Sequence, residues 1–180
     1  MAVADFISRN RTIECAFFHH GTEVSKQAAR FVRLYCAKRG WTLYIQPITK
    51  DKPTDLSTEE HWRNERYKFL DSFNRPVITA HHLDDCVETY LWSSMHGTAK
   101  LIPYDRNNII RPFLTTTKQE LVRWAEQHNV PWQEDVSNVD TKYMRNYIRK
   151  EIMPRALVVN PGLKKVILKK LNTKLKETND

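Results

Sequence analysis

Two imidazoles and two carboxylates sit within five residues at His81-His82-Leu83-Asp84-Asp85. A histidine titrates near neutrality and serves as acid or base, and an adjacent carboxylate orients it or takes a proton itself. The same residues also suit a plainer role, because an aspartate at the start of a helix accepts hydrogen bonds from free backbone amides. Asp84 fits that capping role better than Asp85. A second histidine pair, His19-His20, precedes Gly21 and Thr22. Arg63 and Arg66 are three apart, so on a helix they share one face as a guanidinium pair suited to phosphate, or as a solvated surface. Further along, Arg145, Asn146 and Arg149 lie in a basic run with Tyr143, Tyr147 and Ile148 interleaved.

The elements that must hold these groups follow from periodicity. Pro76-Val77-Ile78-Thr79-Ala80 reads as a short buried strand, and Val87, Tyr90, Leu91 and Met95 recur at helical spacing after it. Strand, polar turn, helix is where an open α/β sheet places ligands, beyond the carboxyl ends of its strands. Upstream, residues 1–10 read as a helix and Ile13-Glu14-Cys15-Ala16-Phe17-Phe18 as a strand. A helix with Ala28, Ala29, Phe31, Val32, Tyr35 and Cys36 follows, ended by Gly40, then a strand from Trp41 to Ile45. Ser57 with Glu60, and Thr117 with Glu120, have the spacing of a reciprocal helix cap. Ile109 to Leu114 reads as a strand stopped at Pro112. These alternations predict right-handed crossovers and a mostly parallel, doubly wound sheet. The expected division is an α/β domain over 1–135 and a basic helical extension over 136–180.

Composition narrows the partners. The chain of 180 residues carries a net charge of +8, which favours polyanions. No apolar run approaches the length that spans a bilayer, and no signal peptide opens the chain. Cys15, Cys36 and Cys86 lack CxxC spacing and read as reduced thiols of a cytoplasmic protein.

Several blocks, in order, resemble the catalytic domain of tRNA(Ile)-lysidine synthases, within the PP-loop ATP pyrophosphatase group. They are Phe17-Phe18-His19-His20-Gly21, Arg63-Asn64-Glu65-Arg66-Tyr67, Thr79 to Asp85 with Glu88-Thr89, Arg111-Pro112-Phe113-Leu114, Trp132 to Asn138, and Arg145-Asn146-Tyr147-Ile148-Arg149 with Pro154. The resemblance implies an adenine nucleotide alpha hydrolase-like fold with C-terminal helices. It implies adenylation of C2 of the wobble cytidine by ATP with Mg2+, then displacement of AMP by L-lysine. His82, Asp84, Asp85, Arg63 and Arg66 are then expected to be catalytic, with Asp85 orienting or deprotonating the lysine amine. His19, His20, Gly21 and His81 are expected at the nucleotide. Arg111, Arg145, Asn146 and Arg149 are expected at phosphate or tRNA. Glu88 and Thr89 read as packing or support.

The chain departs from the family in one respect: residues 1–180 contain no Ser-Gly-Gly-x-Asp-Ser loop, and no strand precedes the first helix. Backbone amides of such a loop hold phosphates. The expectation is therefore a split or truncated enzyme whose loop sits on a separate chain. The rival readings are a non-catalytic tRNA-binding fragment and another adenylating enzyme such as a tRNA thiolase. For thiolation, Cys86 is the candidate worth testing.

Overall fold

The computed structural model describes residues 1–48, 51–133 and 143–179. Within these, the chain groups into two compact units, one drawn from 1–75 with 124–137, the other from 76–123 with 138–180. The boundary expected between 135 and 136 lies outside the described residues, as do residues 134–138 of the block beginning at Trp132.

The first unit opens with α1 (Ala2–Ser8), β1 (Glu14–His19), α2 (Glu23–Arg39), β2 (Thr42–Pro47) and α3 (Thr58–Asp71). β1 and β2 pair in parallel from Glu14 opposite Thr42 to His19 opposite Pro47. Parallel neighbours need a crossover, and α2 supplies it. Thr22 caps α2 by accepting from the Ser25 amide at 3.2 Å, and Gly40 ends it at φ +67°. Only glycine adopts that left-handed turn without steric cost. Ser57 caps α3, accepting from the Glu60 amide. Phe18, Tyr35, Cys36, Tyr67 and Phe69 are buried, with Ala125 and Val130 packed against Tyr35. Asp5 is 1% exposed and survives burial because Arg9 and Arg39 both donate to its carboxylate.

The second unit holds β3 (Val77–Ile78), α4 (Leu83–Met95), β4 (Asp105–Arg106) and β5 (Ile109–Ile110). α5 (Lys118–Gln127) begins in this unit, and its residues from Trp124 on belong to the first. β3 pairs with β5 in parallel, and β4 with β5 antiparallel. The strand expected over 76–80 thus pairs only at its centre. The turn chemistry of 104–108 is realised as a hairpin, with Asn107 at φ +53°. α6 (Met144–Tyr147), a π-helical stretch (Ile148–Ile152) and α7 (Met153–Val159) follow, then α8 (Leu163–Asn179). Pro154 explains the π stretch. It has no N–H to give the Lys150 carbonyl, so the turn before it widens, and the Met153 amide reaches Ile148 five residues back. Leu83, Cys86 and Val87 of α4, Leu114, and Ile167 and Leu171 of α8 form one buried cluster.

Candidate active site

The turn into α4 is built by a histidine. His82 is the N-cap, at φ −128°. Its Nδ1 accepts from the Asp85 amide at 3.3 Å, while Asp85 Oδ2 accepts from the His82 amide at 3.0 Å. An accepting Nδ1 carries no proton, so the ring is the neutral tautomer with its proton on Nε2. Burial favours the same state. It lowers the His82 pKa, outweighing the opposite pull of Asp85 and Asp84.

Asp84 does not cap α4, contrary to the plainer reading of the sequence, because His82 holds that position. Its Oδ2 accepts from the Lys118 amide at 2.8 Å, the first residue of α5, and its Oδ1 pairs with Lys164 of α8. Burial opposes the charge of Asp84, but the Lys118 amide and Lys164 together hold its carboxyl below the usual carboxylate range. One buried carboxylate thereby ties three helices.

Next along α4, Asp85 and, one turn on, Glu88 form a cluster with Arg145 and Arg149. Arg145 Nη2 donates to Asp85 Oδ1 at 2.6 Å, and its Nε to Glu88 Oε2 at 3.2 Å. Arg149 is bidentate on Glu88, with Nε to Oε1 at 2.6 Å and Nη2 to Oε2 at 3.1 Å. Arg149 also lies 3.5 Å from Asp85. The planar fork of arginine matches a carboxylate in a way that lysine cannot. The Glu88 side chain is 3% exposed, that of Arg145 47%. Burial opposes the Arg145 charge, yet Asp85 and then Glu88 outweigh it and raise its pKa. The two charges of each sign cancel, and one end of the cluster stays open to solvent.

The remaining expected residues are placed as follows. Arg111, expected at phosphate or tRNA, is instead 2% exposed, and its Nη1 donates to the Pro103 carbonyl at 2.9 Å. Asn146 is buried beside the arginines. His81 Nδ1 is 2.9 Å from the Thr79 hydroxyl. In the first unit, the Gly21 amide donates to His19 Nδ1 at 2.8 Å, with Gly21 at φ +82°. His20 stacks on Trp62 at 5.0 Å between ring centroids. Arg63 and Arg66 lie over the Tyr67 ring at 5.3 and 5.8 Å. His19, His20, Gly21, Arg63 and Arg66 belong to the first unit, and the turn and the arginine cluster to the second.

A family model described as a PP-loop domain matches residues 3–156. The chain belongs to the PP-loop family. Relatives include the tRNA(Ile)-lysidine synthase of Staphylococcus aureus (strain MW2), 32% identical over 93% of this chain and 42% of that protein. That of Thermosipho africanus (strain TCF52B) is 34% identical over 88% and 40%. The chain therefore spans about two-fifths of the length of these relatives. Among solved structures, the U34-tRNA thiolase NcsA from Methanococcus maripaludis with its [4Fe-4S] cluster has a TM-score of 0.60. It is 13% identical, covering 93% of this chain and 74% of that one, which shows a shared α/β fold.

Within this PP-loop chain, the second unit offers a neutral imidazole, a carboxylate pair and two guanidiniums. Its described residues do not offer a ligand set for Mg2+. That ion wants several oxygen ligands in octahedral array, whereas Asp85 and Glu88 already face arginines and Asp84 faces a lysine. Among the described residues, no group of three His, Cys, Asp or Glu side chains is placed to hold a metal. Cys86, the thiol singled out for thiolation, is fully buried, and burial first and Asp85 second push it up to about 12. It is no nucleophile in this state. Sequence reasoning treated Glu88 as support and gave Lys164 no role in the turn. The available signal was spacing: Glu88 is one turn beyond Asp85, and Arg145 and Arg149 are one turn apart.

Proposed function

We propose that this chain contributes to ATP-dependent formation of lysidine, the joining of L-lysine to C2 of the wobble cytidine of tRNA(Ile) through an adenylated tRNA. The observation that carries the reading is the mixed cluster of Asp85, Glu88, Arg145 and Arg149. An amino acid presents an ammonium and a carboxylate, and this cluster presents a partner for each. On binding, Asp85 exchanges its pairing with the half-exposed Arg145 for the ammonium, and the freed Arg145 answers the amino-acid carboxylate or the phosphate of the departing AMP, while Glu88 stays buried against Arg149. In the second step the lysine amine attacks C2, the C2–O bond to AMP breaks, and the nitrogen loses a proton. Asp85 stands as acceptor for that proton. Neutral His82 orients Asp85 through the reciprocal cap and donates from Nε2. Arg63 and Arg66 are assigned to phosphate, and His19, His20, Gly21 and His81 to the nucleotide. The names of the relatives support the choice of tRNA(Ile).

The phosphate-binding loop is assigned to sequence other than residues 1–180. The test is to combine tRNA(Ile), ATP, Mg2+ and labelled lysine with the 180-residue chain, alone and with a segment carrying strand and Ser-Gly-Gly-x-Asp-Ser loop. Lysidine is expected only in the second mixture. Product from the chain alone would overturn the division of the site, and no product from either would overturn the function. The second reading is another PP-loop adenylating enzyme such as a tRNA thiolase, which the shared α/β fold with the thiolase NcsA fits; against it, burial, chiefly, also pushes the Cys15 thiol up to about 12.

A further inference from the structure

Five of the six lysines of α8 fall into three sets by where they point. Lys164 turns inward to Asp84. Lys170 lies 6.0 Å from the Tyr90 ring centroid on α4. Lys165, Lys169 and Lys176 point to solvent and, with Leu168, Asn172 and Thr173, line a shallow groove along the helix. At 1.5 Å per residue the three cations spread over ~16 Å of one face. Among the described residues, no hydrogen bond or ion pair neutralises them, and Glu177 is the one acidic residue within Leu163–Asn179. Ordinary helical surfaces intersperse both signs. Here the opposite, apolar face is committed to the core through Ile167 and Leu171, so the helix is a fixed ridge rather than a floating tail.

We propose that this stripe is a docking surface for the phosphate backbone of RNA. A row of unneutralised cations on a rigid ridge, with amide and hydroxyl groups between them, suits a polyanion of regular charge spacing, which it binds without reading sequence. A membrane surface fits less well, because an interfacial helix lays its apolar face into lipid and α8 has already buried its own. The proposal deepens the tRNA reading and rests on it for the choice of RNA. The Lys164–Asp84 pair fixes the first turn of the same helix to the turn entering α4, so bound RNA would be held in a set register to that turn.

The experiment measures binding of a folded tRNA(Ile) transcript between 50 and 200 mM salt. It compares the chain with a Lys165→Gln/Lys169→Gln/Lys176→Gln variant, and with a Lys26→Gln/Lys38→Gln/Lys68→Gln control of equal net charge. All three lysines of the stripe are exposed, so the unfolding midpoint should not move. The stripe variant should bind at least about tenfold more weakly at low salt, with a log–log salt slope shallower by about 2 to 3, for three lost phosphate contacts. The control should keep the parent slope. Equal weakening in both variants would reduce the effect to net charge and overturn the proposal. So would unchanged binding by the stripe variant, or stripe-dependent binding to phosphatidylserine vesicles in place of tRNA. Stripe-dependent tRNA binding by a chain that yields no lysidine even when complemented would leave this inference standing and remove the function above.

Discussion

Glu88 accepts from two guanidiniums with one buried carboxylate, so neutralising it strands charge on both arginines. In Glu88→Gln the amide keeps the shape but loses the ion pairing. Because both arginines reach solvent, they rehydrate in part, and the loss should be about 2 kcal/mol in urea unfolding. A variant as stable as the parent would show that the cluster is held by its neighbours instead. Asp85→Asn tests the chemistry at the same place. In the complemented enzyme it should abolish lysidine formation and leave tRNA affinity nearly intact. Full activity would remove Asp85 from the mechanism. His82 sets a pH signature. Its folded pKa lies below the ordinary value, so beneath about pH 6.5 the unfolded chain takes up a proton that the folded chain refuses. Stability should therefore fall as pH drops from 7 towards 5. His82→Asn, which retains a capping acceptor, should flatten that slope. Asp84 acts in a lower window: its depressed pKa adds stability that is lost only as pH falls below the ordinary carboxylate range.

At the level of elements, the parts that the sequence made legible are those whose cause is local. Ser57 with Glu60, Thr117 with Glu120 and Gly40 all act within four residues, and each cap stands where the spacing put it. The strand at 76–80 was legible in place but not in extent, because pairing is set by a partner strand 32 residues away and only Val77 and Ile78 find it. The arginine cluster was legible as residues and not as a contact: Arg145 and Glu88 are 57 apart, and nothing in a local pattern ties α6 to α4. The π stretch is an intermediate case, with its cause in Pro154 and its effect one turn earlier. Pro154→Ala restores an amide to the Lys150 carbonyl and should let the turn close to α-helical form. That closure would rotate Arg149 off the face it shares with Arg145. The expected outcome is a helix at least as stable, with weaker bidentate pairing to Glu88 and lower turnover in the complemented enzyme. An unchanged rate would show that the π stretch serves packing alone.

Each unit closes a core of its own, and each buries a cysteine: Cys36 lies 1% exposed in the first and Cys86 0% exposed in the second. The two thiols report separately on the opening of the two units, since a buried thiol is alkylated only when its surroundings open. Ile167 is fully buried against Leu83, Cys86 and Val87, so Ile167→Ala should cost about 2–5 kcal/mol in the second unit. If opening there is local, Cys86 alkylation in sub-denaturing urea should accelerate by about tenfold for every 1.4 kcal/mol lost, while Cys36 keeps its parent rate. Equal acceleration at both thiols would show that the units open as one cooperative body. Separate cores argue for the first outcome.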